Sequence, residues 1–315
     1  MLQTLFSWAS SEGTKARLTV LIFHRVLPAP DPLLARTIHA GQFEQICSWM
    51  RVWFNVIPLD DAVERLKSGT LPSRSACITF DDGYADNYHV AMPILSRLGL
   101  TATFFISTGF LDGGRMWNDT VIESVRLCKL PELDLTPLGL DSYPLASWAD
   151  RRQAVSSIIQ KIKYLPIEER RGLTKSIAQI AKVALPADLM MTSKEVLAMR
   201  QAGMQIGAHT VSHPILTKTT QEQAQQEILG SKARLEEILG ERIGLFAYPN
   251  GKPAEDYSPD NVALVRSLDF DAAVSTAWGT TRQGDDIFQI RRFSPWDTTK
   301  TRFGFRLLGN LLRRS

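Results

Sequence analysis

The chain has few cysteines and little net charge. Its 315 residues include three cysteines, Cys47, Cys77 and Cys128, whose wide spacing matches neither a disulfide framework nor a zinc-binding knuckle. We therefore predict buried or incidental thiols in a reducing compartment. The formal net charge is only +3 and no dense block of Lys and Arg occurs, so nucleic-acid binding is not expected.

Long apolar runs are also absent. The longest near the N-terminus, LTVLIF at 18–23, has the length of a strand, and the chain does not begin with a basic region followed by an apolar one. A membrane-spanning helix needs about 20 apolar residues, and a signal peptide needs a basic stretch before its apolar one. We predict a cytoplasmic protein without a signal peptide or transmembrane span.

Short apolar runs alternate with segments of helical periodicity along most of the chain. SACITF at 75–80 and MQIGAH at 204–209 have the strand pattern, and GQFEQICSWMRVW at 41–53 has the helical one. Such alternation predicts a parallel sheet, and the length suits a single α/β barrel. Residues 112–190 interrupt the alternation with helical patterns and no convincing strand, so we interpret them as a helical insertion.

We divide the chain into an N-terminal extension at 1–16, a barrel domain at 17–298 and a basic amphipathic tail at 299–315. The tail has the composition of a helix that rests on an anionic membrane surface, although packing against its own barrel is the more common arrangement. The insertion is rich in Arg and Lys. A solvated helical face explains this more simply than a site for an anionic ligand, and both interpretations stay open.

Two adjacent carboxylates, Asp81 and Asp82, directly follow the predicted strand at 75–80. Neighbouring carboxylates repel each other, and on a strand they point to opposite faces. In parallel sheets, chemistry gathers at the carboxyl ends of strands. The position of this pair therefore indicates a functional site.

His209 and His213 follow a second predicted strand end and lie four residues apart. This spacing lets two imidazoles face one side, although such a pair alone is a weak signal. Two imidazoles and one carboxylate form the donor set of a catalytic zinc ion. A cation would also relieve the repulsion within the Asp pair and leave the second carboxylate free as a base.

The sequence resembles the polysaccharide deacetylase family (NodB homology domain, carbohydrate esterase family four). TFDDGY at 79–84 and HTVSH at 209–213 are similar to its first two motifs, and FAYPNG at 246–251 is similar to its third. FHRV at 23–26 resembles the opening strand of one branch of the family. The resemblance spans roughly residues 17–110 and 190–298. It implies a distorted (β/α) barrel and hydrolytic deacetylation.

Carried over by position, the resemblance implies that Asp81 is the general base. Asp82, His209 and His213 match the metal ligands of the family. We expect one divalent ion, zinc in the first place, with cobalt or nickel as alternatives. By its place in the third motif, Asn250 would offer its backbone N–H to an oxyanion.

Two tyrosines stand near predicted strand ends within these motifs. Tyr84 and Tyr248 could line a sugar groove, since aromatic faces suit pyranose rings. Packing in the core is an equally good explanation.

Two positions depart from the family pattern. The Arg that usually orients the base is replaced by Ala247, and we predict that Arg292, near the next predicted strand end, takes its place. A surface salt bridge is the alternative for Arg292. No histidine follows His213, so the usual general acid is missing. We predict that His24 replaces it; a buried structural histidine is the alternative.

Together these features predict a metal-dependent hydrolase that removes N-acetyl groups from amino sugars of a polysaccharide, oligosaccharide or glycan precursor. Two alternatives stay open. One keeps catalysis and changes the substrate: an O-acetyl ester of a glycan, since esters need less protonation of the leaving group than amides, or an amide of a small non-sugar molecule. The other is a glycan-binding barrel with impaired catalysis, which the intact Asp81 disfavours.

Overall fold

A parallel sheet forms the centre of the molecule. The computed structural model describes residues 2–313, and within that range the central sheet has eight strands. In chain order the strands are β1 (Thr19–Phe23), β2 (Asn55–Val56), β3 (Ser75–Phe80), β4 (Thr103–Ile106), β5 (Glu132–Asp134), β6 (Ser142–Pro144), β7 (Gln205–Ala208), β8 (Leu245–Ala247), β9 (Ala272–Trp278) and β10 (Ile290–Arg292). The order in the central sheet is β1-β3-β4-β7-β8-β9-β10, with β2 beside β3, and β5 and β6 pair separately.

The central sheet is nearly closed into a barrel. The backbone N–H of Phe293, just after β10, donates to Val20 O at 2.7 Å, and Ile22 N–H donates to Phe293 O at 3.1 Å. These bonds bring the last strand back to β1. The predicted (β/α) barrel is confirmed.

Helices surround the barrel. They are α1 (Leu2–Ala9), α2 (Ala40–Trp53), α3 (Leu59–Ser68), α4 (Met92–Arg97), α5 (Trp117–Leu127), α6 (Trp148–Ile162), α7 (Ile167–Ala181), α8 (Ser193–Gln201), α9 (Gln221–Leu239), α10 (Pro259–Ser267) and α11 (Lys300–Leu312). A π-helical stretch, Asn87–Ala91, leads directly into α4. Within the described range, no helix is both long and apolar enough to span a membrane.

The strands are apolar on both faces because both faces are covered. Along β3, Ile78 and Phe80 pack in the larger apolar cluster, which includes residues of the surrounding helices, whereas Cys77 packs in a second cluster with Val20 and one side of α3. Since successive strand residues point to opposite faces, the second cluster fills the barrel interior. Asp81 continues the inward row of Cys77 and Thr79.

The three cysteines lie in three different apolar clusters. Cys47 packs outside the barrel, Cys77 inside it and Cys128 in the insertion. All three belong to the described part of the chain, and all are buried and unpaired. The prediction of buried thiols without a disulfide framework is confirmed.

Helix starts near the site are fixed by capping side chains. The Thr192 hydroxyl accepts from the N–H of Glu195 and the Glu195 carboxylate accepts from the N–H of Thr192, and Thr220 and Gln223 form the same box at the start of α9. Each such cap stabilises a helix by about 1 kcal/mol. The caps set where α8 and α9 begin on either side of β7.

The insertion has an apolar cluster of its own. Helices α5, α6 and α7 pack around Val121, Ile158 and Ile177, together with the antiparallel hairpin of β5 and β6. The expectation that this segment contains no strand is wrong. The two strands have three residues each, which is too short for an alternating pattern to stand out in the sequence.

The C-terminal helix α11 packs against the barrel. Phe303, Leu307 and Leu311 are fully buried in the larger apolar cluster, and the ring of Phe303 lies 5.7 Å from that of Trp49. The opposite side of the helix exposes Phe305. Packing on its own barrel, the more common arrangement, accounts for the apolar periodicity of this segment.

Candidate metal centre and active site

The predicted site residues come from several strand ends at one edge of the barrel. Asp81 and Asp82 follow β3, and His209 follows β7, which is separated from β3 by β4 alone. Asn250 follows β8, and His24 follows β1. Because all these strands are parallel, their carboxyl ends meet at the same edge.

Asp82, His209 and His213 converge on one point. The Asp82 Oδ1 atom lies 3.5 Å from His209 Nε2 and 3.4 Å from His213 Nε2. These separations are longer than normal hydrogen bonds. Oδ1 is buried and has no hydrogen-bond partner among the described residues. Three atoms of the kind that ligate metal ions therefore face one another without forming hydrogen bonds of normal length among themselves.

These separations fit a shared cation. Two ligands that are each about 2.1 Å from a tetrahedral zinc ion lie roughly 3.4 Å apart. The His209 ring is held for this role, since its Nδ1 lies 2.8 Å from Ala247 O, which leaves Nε2 facing Asp82. The donor set and its spacing fit a divalent ion of the zinc type.

Burial and neighbouring charges shift the pKa values of Asp82, His209 and His213 in different directions. Burial would raise the pKa of Asp82, but the neighbouring imidazoles hold it well below its usual value. Burial would lower the pKa of His209, but Asp82 and Asp81 raise it. Burial lowers the pKa of His213 to about 4. Asp82 is thus ionised and His213 neutral at neutral pH, as cation binding requires.

Four of the motif residues have a strained backbone. Asp82, Thr210, His213 and Asn250 have positive φ angles of 81°, 65°, 53° and 57°. Non-glycine residues rarely adopt this conformation, and it persists where the surrounding structure enforces it. Gly83 follows at φ 89°, where an added Cβ would come within 3.1 Å of Ile106. The turn after β3 therefore requires glycine at this position.

A carboxylate on α9 holds the loop that carries His213. The Glu227 Oε2 atom accepts from the N–H groups of Val211 and Ser212 at 2.9 and 2.7 Å, and Oε1 accepts from the Ser212 hydroxyl at 2.6 Å. The His213 N–H donates to Thr210 Oγ1 at 3.1 Å. Sequence reasoning missed Glu227, because nothing in the helical pattern of α9 distinguishes it from the other acidic residues there.

Arg292 reaches Asp81 in the barrel interior. Its Nη1 and Nη2 atoms each lie 2.7 Å from one oxygen of Asp81, and its Nε donates to Ser275 O at 2.8 Å. Arg292 is 1% exposed and Asp81 2%. Burial would raise the pKa of Asp81, but the guanidinium holds it below its usual value. Arg292 thus stands where the sequence predicted a substitute for the missing Arg, and a surface salt bridge does not describe it.

A cleft of about 280 Å³ opens over these groups. Asp81, Asp82, His209 and His213 line it, together with His24 and Asn250. The His24 side chain is exposed, which excludes the alternative of a buried structural histidine. The backbone N–H of Asn250 has no hydrogen-bond partner within residues 2–313.

Neither predicted tyrosine lines this cleft. Tyr84 is buried and packs in a small cluster with Met116. The guanidinium carbon of Arg25 lies 4.5 Å from the centroid of the Tyr84 ring. Tyr248 is fully buried and stacks on Tyr257 with ring centroids 3.9 Å apart. Core packing, the second explanation given for both residues, describes their positions.

The insertion supplies one wall of the cleft, which sequence reasoning did not foresee. Its contributions come from α5, α6 and the start of α7, and they are Met116, Trp117, Asn118, Ile159, Lys163 and Arg170. These residues lie far from the motifs in sequence, and only the tertiary packing of the insertion brings them to the site.

The chain matches the polysaccharide deacetylase family over residues 68–129 and 145–273. The gap between the two matched stretches contains the β5–β6 hairpin. The match includes the Asp pair, both histidines and the third motif. The protein therefore belongs to the polysaccharide deacetylase family.

Individual relatives are distant. The poly-β-1,6-N-acetyl-D-glucosamine N-deacetylase of Staphylococcus aureus strain MSSA476 is 27% identical over 176 residues, which is 54% of this chain and 60% of that protein. The Streptococcus pyogenes deacetylase PplD, solved in complex with acetate, has a TM-score of 0.62 at 18% identity and covers 94% of this chain and 98% of its own. IcaB from Ammonifex degensii has a TM-score of 0.62 at 19% identity, and the match covers 96% of this chain and 99% of IcaB. These two structures support the fold.

Proposed function

We propose that this protein removes N-acetyl groups from amino sugars of a polysaccharide, oligosaccharide or glycan precursor. One divalent ion, zinc in the first place, would be held by Asp82, His209 and His213. The observation that carries the proposal is the second carboxylate: Asp81 stands beside this group, is paired with Arg292 and lines the same cleft. A site that only bound a cation would have no use for it.

A divalent ion, when bound there, supplies a Lewis acid that polarises a carbonyl oxygen and makes water more acidic. The chain supplies the base. Since Arg292 holds the pKa of Asp81 below its usual value, the carboxylate is ionised at neutral pH and can accept a proton from the attacking water. The two bonds to Arg292 also fix the orientation of both carboxylate oxygens.

The carbonyl oxygen of the acetyl group becomes negatively charged as water adds to it. The N–H of Asn250 faces no other acceptor among the described residues and belongs to a residue that lines the cleft. We assign it as the backbone donor for this oxyanion. The positive φ of Asn250 keeps the turn in a strained conformation that presents this segment to the cleft.

The leaving amine must gain a proton. His24, exposed at the cleft and following β1, is the residue we assign to this step. Because esters need less protonation of the leaving group than amides, His24→Gln should slow N-deacetylation far more than O-deacetylation. Equal losses on both substrates would remove His24 from this role.

The experiment that tests the proposal is acetate release by zinc-loaded protein from a panel of N- and O-acetylated glycans. Poly-β-1,6-N-acetylglucosamine belongs in the panel because the Staphylococcus aureus relative is named for it. We expect release from an N-acetylated glycan, with a loss of at least about 100-fold in Asp81→Asn, because a positioned general base typically contributes that much.

The other outcomes separate the alternatives. Release from O-acetylated glycans alone would establish the esterase. Binding of glycans by metal-loaded protein without any acetate release would establish the impaired barrel. Full activity of Asp81→Asn would show that the base is another residue.

A further inference from the structure

A second pocket of about 180 Å³ adjoins the catalytic cleft. Lys163, Arg170 and Ile215 line both spaces, and Lys218 lines the second one. The cleft alone is slightly smaller than the roughly 300–1,000 Å³ typical of small-molecule sites, and the extension brings the combined groove into that range. The groove thus has room for more than the acetylated sugar at the catalytic centre.

Arg170 is a buried cation without an anion. It is 5% exposed, and its Nη1 donates to the backbone O of Lys163 at 2.9 Å, while its guanidinium lies 4.7 Å from the ring centroid of Trp117. No carboxylate among the described residues comes within 4.0 Å of it. Burial therefore lowers the pKa of Arg170, and no neighbouring carboxylate offsets this effect.

The other arginines near this site are paired. The buried Arg292 binds both oxygens of Asp81, and the partly exposed Arg25 lies 2.8 Å from Asp86. Burying a cation costs free energy unless an anion is close to it. An arginine that lines a groove and lacks this partner points to an anion that arrives with a ligand.

The surroundings of Arg170 are basic. Lys163 and Lys218 line the second pocket with it, and no acidic residue lines this pocket. The nearby Glu255 has its carboxylate 3.1 Å from Lys252 Nζ and accepts from the Tyr164 hydroxyl at 3.3 Å. Lys252 is the main cause of its lowered pKa, and Lys163 contributes to a smaller extent. Among the charged residues that line the second pocket, all are therefore cations, whereas Asp81 and Asp82 line the catalytic cleft.

We propose that Arg170, with Lys163 and Lys218, forms a subsite for an anionic group of the substrate, so that the acetylated sugar belongs to a glycan carrying phosphate or carboxylate. This inference rests on the proposed deacetylase function and narrows its substrate class. The planar guanidinium suits both groups, since it can donate two parallel hydrogen bonds to either. The two lysines would add charge without this directional preference.

The test is a binding measurement that does not depend on turnover. Zinc-loaded Asp81→Asn protein, which retains the metal ligands, is titrated by calorimetry with matched neutral and anionic sugars. N-acetylglucosamine is compared with N-acetylglucosamine 1-phosphate, and N-acetylated chitotetraose with a hyaluronan tetrasaccharide, which carries carboxylates. The first pair tests whether the subsite binds a phosphate group, and the second tests whether it binds a carboxylate.

We expect at least one anionic sugar to bind about tenfold or more tightly than its neutral counterpart, as hydrogen bonds to charged groups typically give. Adding Arg170→Gln should abolish that preference, because it weakens binding of the anionic sugar about tenfold or more relative to binding of the neutral sugar. Arg171→Gln is the matched control, because Arg171 is the next residue on α7 and its side chain is 79% exposed. Lys163→Gln, at a half-buried position, should reduce the preference in part and serves if Arg170→Gln does not fold.

Equal affinities for the neutral and anionic member of both pairs would overturn the subsite. So would a preference that survives both Arg170→Gln and Lys163→Gln, because the anion would then be bound elsewhere, for example at the metal. Neither result affects the proposed function, which is decided separately by acetate release from wild-type protein.

Discussion

At the scale of single residues, the site is built from groups that are costly in isolation. Asp81 and Arg292 are both buried, and each neutralises the other. One carboxylate oxygen of Asp82 has no hydrogen-bond partner among the described residues, and the backbone of Asp82 is strained by its positive φ angle. Such costs are typical of functional sites, where geometry is maintained at the expense of stability.

Replacing Arg292 should damage both activity and stability. Arg292→Ala leaves Asp81 as an unpaired buried charge, which typically costs about 3–5 kcal/mol of unfolding free energy. We also expect kcat/KM to fall by at least about 100-fold, since the base loses its orientation. Urea unfolding and acetate release measure the two effects. Arg291→Ala, at the adjacent and more exposed position, is the control, and a kcat/KM within a few-fold of wild type in Arg292→Ala would refute the positioning role.

A second buried carboxyl makes stability depend on pH. Burial raises the pKa of Asp119 to about 7, and Arg25 at 3.9 Å offsets only part of this effect. In the unfolded chain this group ionises near pH 4. Its contribution to folding is therefore fully present below about pH 4 and is lost as the pH rises through 7.

Asp119→Asn removes this titration. We compare the unfolding free energy of the variant with that of wild type at each pH. This difference should shift in favour of the variant by roughly 2–3 kcal/mol from pH 5 to pH 8, since one pKa unit corresponds to about 1.4 kcal/mol. Chemical unfolding at the two pH values measures the change. Asp188→Asn, at an exposed carboxyl, is the control. A stability difference that does not change with pH would show that Asp119 ionises normally.

At the scale of elements, the sequence predicts the strand ends well because they combine two strong signals. The apolar runs before Asp81 and before His209 are short and continuous, and the polar motifs begin directly after them. The capping residues at the starts of α8 and α9 are equally local. These features need only neighbouring residues, so they can be read without the fold.

The features that the sequence does not reveal depend on distant packing. Glu227 looks like any surface acid of α9 until the HTVSH loop is placed above it. Arg170 looks like part of a solvated helical face, yet it is buried in the cleft wall. For Tyr84 and Tyr248 the sequence left groove lining and core packing equally open, because proximity to a motif in sequence does not decide which way a ring points.

Glu227 should matter for metal affinity although it is not a ligand. Glu227→Gln weakens the bonds that hold the His213 loop, and residues that support metal ligands typically contribute about 10- to 100-fold to affinity. Competition with a chelating dye measures the zinc dissociation constant. Glu222→Gln, at an exposed position of the same helix, should leave it unchanged. An unaltered zinc affinity in Glu227→Gln would show that the loop holds its shape without this carboxylate.

At the scale of the whole molecule, closure of the barrel assembles the site. Asp81 on the β3 side and Arg292 on β10 are separated by 211 residues, and they meet inside the barrel near the point where β10 returns to β1. The predicted alternation of strands and helices implies a barrel but not this register. The contact between Arg292 and Asp81 was predicted from a gap in the family motif, and its burial and two-bond geometry required the structure.

The central claim is that the group of Asp82, His209 and His213 holds one ion on which deacetylation depends. The most direct measurement is acetate release from an N-acetylated glycan as zinc is added back to protein stripped with a chelator. We predict that the stripped protein is inactive and that activity rises to a plateau at one equivalent of zinc per chain. Full activity of the stripped protein, or zinc binding at one equivalent without any acetate release from the panel, would contradict the account.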